Sequence, residues 1–247
     1  MKLSTRTLPA WVIATSLISY SNAAIVGNSA CVASTFTFPE ILGAKLIDVT
    51  ANEVHNYSTS PIITGTDVPA TSTIDFYNAT VTHTHPGRND TINISLWLPL
   101  KGWNDRLLDV GGGGFAASFG HVYQTAAVDK GFVAVVTDSG QASGQIAATD
   151  PSPWAVTSPG NLSLPLIEDF ASRTLGELST IAKHATRDYF GDEPSYSYFT
   201  WCSGGGRQGL ELAQKFSEAF DGILAAAPAA YFETFLVSEY WPTLLMK

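Results

Sequence analysis

The segment richest in chemistry is Cys202-Ser203-Gly204-Gly205-Gly206. Tyr196-Ser-Tyr-Phe-Thr-Trp201 before it reads as a strand and Arg207 to Phe220 after it as a helix, so Ser203 falls on a sharp strand-to-helix turn. A hydroxyl projected from such a turn is placed to attack a carbonyl carbon, and Gly205 is the small neighbour that lets the backbone fold back. The N–H of Gly204, at the start of the following helix, is aimed where negative charge develops on a substrate oxygen. The chemistry this predicts is acyl transfer through a serine nucleophile. Trp201 stands where a G-x-S-x-G turn has its first glycine. The plain alternative makes Ser203 a turn residue in a glycine-rich loop.

A second glycine run, Gly111 to Gly114, follows the apolar segment Arg106-Leu-Leu-Asp-Val110. An α/β-hydrolase carries its second oxyanion donor at this place, which assigns Gly113 and Gly114 with Gly204 to an oxyanion hole. The rival is a nucleotide loop, since Gly112-x-Gly114-x-x-Ala117 resembles G-x-G-x-x-A and Asp138 ends the next strand where a ribose-binding acid is expected; this would make the chain an oxidoreductase. No amphipathic helix is legible directly after Gly114, and that reading leaves the Ser203 turn unexplained. His83 and His85 alternate as two imidazoles on one strand face would, but no nearby acid or cysteine in the sequence completes a metal site, so a strand end before Pro86-Gly87 is favoured and no metal is assigned. His121 and His184 are read as packing or surface residues. Arg207 either pins the turn or is solvated.

The elements that must position these groups follow from hydropathy. Thr91 to Leu98 alternates, with Ile92, Ile94, Leu96 and Leu98 on one face and Asn93 on the other, which predicts a half-buried strand with Asn93 toward solvent. Gly131-Phe-Val-Ala-Val-Val-Thr-Asp138 and Gly222-Ile-Leu-Ala-Ala-Ala227 are continuous apolar runs, suited to strands covered on both faces. Between Asp169 and Tyr189, apolar residues recur at three- and four-residue intervals, predicting an amphipathic crossover helix ended by Gly191. The alternation of strands and helices defines an α/β fold with a parallel sheet of the α/β-hydrolase type. Residues 24–75, rich in Thr, Ser and Asn, read as an irregular or edge-strand lead-in to a catalytic domain over 76–247.

The chain has 247 residues, 45% of them hydrophobic, enough to bury a sizeable core. Thirteen Lys and Arg against 22 Asp and Glu give a net charge of −9, which argues against a nucleic-acid partner. Lys2 and Arg6, the apolar stretch Trp11 to Ile18 and Ser21-Asn22-Ala23 form a secretory-signal pattern over residues 1–23, and no segment reaches the roughly 20 apolar residues of a membrane span. Secretion agrees with glycosylation sequons at Asn56, Asn78, Asn89, Asn93 and Asn161. The two cysteines, Cys31 and Cys202, pair with each other or with partners elsewhere; the sequence does not choose.

In this topology the triad acid and histidine follow the nucleophile, yet no histidine follows His184. They are expected beyond Lys247, so the chain reads as an incomplete hydrolase. An inert secreted fragment or pseudoenzyme is the main alternative.

From about Tyr77 to Ala229 the chain resembles the tannase and feruloyl esterase family of fungal secreted serine esterases. The resemblance is carried by Thr84-His85-Pro86-Gly87, Leu96-Trp97-Leu98-Pro99, Gly111 to Phe115, Asp138-Ser139-Gly140 and Cys202-Ser203-x-Gly205-Gly206-Arg207-Gln208-Gly209. It implies hydrolysis of phenolic acid esters, feruloyl or galloyl, on plant cell-wall material or tannins. It also implies that Cys202 is half of a bridge to a cysteine beside the catalytic histidine, and that an inserted lid domain, often holding calcium, lies beyond Lys247. No cofactor is expected within the chain itself.

Overall fold

The computed structural model describes residues 32–59, 73–141 and 148–246. The signal pattern over 1–23 and Cys31 lie outside the described residues.

In chain order the elements are β1 (Lys45–Tyr57), β2 (Ile74–Thr84), β3 (Ile92–Pro99), β4 (Arg106–Val110), α1 (His121–Asp129), β5 (Val133–Thr137), α2 (Ser152–Ala155), β6 (Val156–Ser158), β7 (Asn161–Leu162), α3 (Leu164–Glu168), a π-turn (Asp169–Arg173), α4 (Thr174–Phe190), β8 (Tyr196–Ser203), α5 (Gly204–Lys215), β9 (Gly222–Pro228) and α6 (Phe232–Leu245). Among the described residues seven strands make one sheet in the order β1-β2-β3-β5-β4-β8-β9. β1, β2, β3 and β5 pair antiparallel, whereas β5, β4, β8 and β9 run parallel. Helices cover both faces, as an α/β fold requires.

Local sequence explains most of this. All of Val133 to Thr137 is buried, because β5 lies between β3 and β4 under helices on both sides. Ile92, Ile94, Leu96 and Leu98 of β3 are fully buried on one face, where they join Leu107, Val133, Phe199 and the apolar stripe of α4, Leu175, Leu178, Ile181, Ala182 and Ala185, in one core. The opposite face packs Phe76, Trp97 and Ala134 under Ala127 and Val128 of α1. α4 stops at Gly191, whose φ of 86° is a left-handed cap that glycine adopts without a Cβ penalty.

The lead-in contains β1, a 13-residue strand with two register shifts, paired along β2 at the edge of the main sheet, as the edge-strand alternative expects. Two features depart from the sequence reading. α1 forms within seven residues of Gly114; Gln124 and Thr125 are buried beside Val122, Ala127 and Val128, and this mixture hides the helical period. Asn93 is half-buried rather than turned fully to solvent: its Nδ2 donates to Asp138 Oδ2 at 2.7 Å and its Oδ1 accepts from Thr82 Oγ1 at 2.8 Å. The polar end of this face of β3, flanked by β2 and β5, is satisfied laterally. α6 buries none of its residues, leaving Val237, Trp241, Leu244 and Leu245 exposed.

Candidate active site

Ser203 ends β8 and caps α5 with φ 57° and ψ −120°. That conformation is costly for a residue with a side chain, of the order of 1–3 kcal/mol, and persists only where the surroundings enforce it. The enforcement is visible in the next three residues. A Cβ on Gly204 would lie 2.8 Å from the Gly114 carbonyl oxygen; one on Gly205 would lie 2.4 Å from the Trp201 ring and 2.6 Å from the Gly112 oxygen; one on Gly206 would lie 2.4 Å from the Ala226 oxygen. The first turn of α5 is therefore wedged between the glycine run and β9, and only glycines fit. Trp201 is compatible with this turn: its ring turns aside to meet Tyr123 edge-on, with centroids 4.2 Å apart, and leans toward Phe119. Ser203 and Cys202 are both exposed.

The glycine run after β4 meets this turn directly. Gly112 N–H donates to Gln208 Oε1 at 2.9 Å, and Phe115 and Ala116 donate to Ala148 and Gly113 carbonyls. Gly113 forms an isolated antiparallel bridge with Ala116, and the backbone of Gly113 and Gly114 borders Gly204. The three glycines expected to supply oxyanion donors thus lie next to one another beside Ser203.

Two glutamines hold this arrangement, and their roles were not legible in the sequence. Gln208, buried on α5, clamps the glycine run at both ends: besides accepting from Gly112 it donates from Nε2 to Ala117 O at 2.9 Å. Gln141 accepts from Ala117 N–H and donates to Phe115 O, each at 2.9 Å. Gln208 lies inside the motif around Ser203, which is the one signal that marks it. Arg207 pins rather than solvates: Nη1 and Nη2 donate to the Ala171 and Phe170 carbonyls of the π-turn, and the guanidinium sits 4.8 Å from the Phe170 ring centroid. Burial lowers its pKa from the ordinary arginine value.

Asp138 is not free to bind a ribose. It accepts from Asn93 N and Nδ2 and from Gly140 N, and burial raises its carboxyl pKa against those hydrogen bonds. His121 stacks on Trp97, and His184 bonds Thr37 and Arg187. His83 and His85 point into the interior toward Glu177 of α4. Among the described residues no side chain hydrogen-bonds Ser203 Oγ, and Cys202 has no disulfide partner.

A mixed sheet with helices on both faces, and a strained serine at a strand-to-helix turn packed against a glycine run, are features of an α/β-hydrolase-type fold. The chain belongs to the tannase and feruloyl esterase family, whose profile matches residues 78–243. It is 37% identical over 213 residues to a probable feruloyl esterase of Arthroderma benhamiae, covering 85% of this chain and 38% of that protein. It is 32% identical over 200 residues to a tannase of Aspergillus oryzae, covering 78% of this chain and 32% of the tannase. Among solved structures, the tannin acyl hydrolase of Aspergillus niger superposes with a TM-score of 0.69 at 29% identity over 81% of this chain and 37% of that one. Feruloyl esterase B of Aspergillus oryzae does so with 0.57 at 29% identity, over 77% of this chain and 36% of that one. The chain thus spans well under half the length of these relatives.

Proposed function

We propose that this chain is the nucleophile-bearing part of a secreted carboxylic ester hydrolase acting on phenolic acid esters. The observation that carries the reading is Ser203, held at φ 57° on a turn whose Gly204 packs against the backbone of Gly113 and Gly114. Ser203 Oγ attacks the ester carbonyl, the amides of Gly204, Gly113 and Gly114 receive the oxyanion, the alcohol leaves, and water releases the acid from the acyl-enzyme. The names of the relatives, tannase and feruloyl esterase, support galloyl and feruloyl esters as the substrate class. The base that activates Ser203 comes from outside the described residues.

Several companion properties belong to the same proposal. The signal pattern over 1–23 and the exposed sequons at Asn56, Asn89 and Asn161 support secretion as a glycoprotein; no helix among the described residues is long and apolar enough to cross a membrane. Exposed Cys202 is the serine-side half of a disulfide. Calcium, which the resemblance associates with the lid, takes oxygen ligands, and both candidate ligand groups among the described residues include histidine, so it is assigned outside them.

A second reading, an inert secreted fragment, rests on the absence among the described residues of any partner for Ser203 Oγ. Hydrolysis of methyl ferulate by the secreted chain, beside Ser203→Ala, decides between them. Activity abolished by the substitution supports the esterase; activity no greater than that of the variant supports the fragment.

A further inference from the structure

β2, the loop after it and α4 bring three ligand-type side chains together in the interior. His83 Nε2 lies 3.1 Å from Glu177 Oε2, and His85 Nε2 lies 2.8 Å from Glu177 Oε1. The candidate ligand atoms are all within 4.8 Å of one another. His83 and His85 are buried at 0% and 2% exposure, and Glu177 is nearly so. The second nitrogen of His85, Nδ1, is 2.7 Å from Asp90 Oδ2, and Asp90 is itself held by Thr84 Oγ1 and the His85 N–H. That is the carboxylate–histidine arrangement in which an outer carboxylate fixes the tautomer and turns Nε2 and its lone pair toward a metal.

The surroundings are short of positive charge. Asp169, fully buried and grouped with His85 and Asp90, has neither carboxylate oxygen hydrogen-bonded among the described residues. Arg173 and Arg88 approach Asp169 and Asp90 only at 3.8 and 3.9 Å, and both direct their terminal nitrogens at Glu168 instead. Burying carboxylates without matching cations is expensive, and a dication between the two imidazoles and Glu177 relieves that cost.

We propose that His83, His85 and Glu177 form a binding site for a divalent transition metal of the zinc class, with Asp90 orienting His85. Two imidazoles and one carboxylate suit zinc and leave the fourth tetrahedral position to a water. The site ties β2 to α4 directly after the π-turn that Arg207 grips, so its role is a strut behind the Ser203 turn, separate from the attacking hydroxyl. The competing arrangement has the imidazoles bonded to Glu177 through their own protons, with no metal.

Zinc titration of the chelator-stripped full chain by calorimetry tests this, with circular dichroism to confirm folding. The proposal expects one equivalent of zinc per chain, a zinc-dependent rise in melting temperature, and tetrahedral absorption bands when cobalt replaces zinc. Glu177→Gln and His83→Gln, both close in shape to the native side chains, lower affinity at least tenfold; Asp90→Asn lowers it about 10- to 100-fold. His55→Ala, which removes an exposed histidine beside Glu53, leaves it unchanged. Folded wild-type chain that takes up no zinc, or takes it up equally well in Glu177→Gln and His83→Gln, overturns the proposal and leaves a proton-bridged network.

Discussion

Gln208 and Gly112, 96 positions apart in sequence, are joined by a 2.9 Å hydrogen bond from the glycine amide to the glutamine Oε1. This bond makes the geometry of the glycine run a property of α5 as much as of the run itself. Gln208 is 1% exposed, so its loss leaves Gly112 N–H and Ala117 O buried without partners. Each such orphan costs about 1–3 kcal/mol. Gln208→Ala is expected to destabilise the chain by at least about 2 kcal/mol in urea unfolding, far more than truncating an exposed glutamine.

The strain at Ser203 has an opposite signature. Glycine adopts φ 57°, ψ −120° without a Cβ penalty, whereas alanine retains it. Ser203→Gly is expected to be more stable than Ser203→Ala by about 1 kcal/mol, and under the proposed function both abolish hydrolysis. Equal melting curves for the two variants would remove the strain argument.

Asp109 supplies a pH dependence. It is buried on β4 with 2% exposure, and burial pushes its carboxyl well above the usual carboxylate range despite a hydrogen bond from the Val110 amide. A carboxyl whose folded pKa is raised binds its proton more tightly in the native state. Its favourable contribution is complete below the unfolded value near 4 and is lost as pH rises from there through the folded pKa. Asp109→Asn is therefore expected to melt higher than wild type at pH 8, with the gap closing toward pH 4. A constant difference across that range would contradict the assignment.

Glycan occupancy separates the sequons. Asn56, Asn89 and Asn161 are exposed, whereas Asn93 Nδ2, the atom a glycan would take, is held by Asp138. Peptide mass spectrometry of the secreted chain is expected to find glycan at the exposed sites and none at Asn93.

The sequence by itself determined most of the elements and the strand-to-helix turn at Ser203. The alternation in β3, the apolar runs of β5 and β9, the stripe of α4 with its Gly191 stop, and the small residues around Ser203 are local patterns, and the local physics of pleat, helical period and turn sterics reads them directly. Only the tertiary structure decided what those elements do to one another. It matched Gln208 to the glycine run, turned Arg207 into a pin, drew Asn93 into hydrogen bonds, and brought Glu177 to His85 from 92 residues away. Such contacts depend on how strands are ordered and which helix face lies against them, so no local pattern encodes them. His83 and His85 carried no sign of a third ligand because α4 acquires its place beside them only when its apolar stripe packs on the sheet.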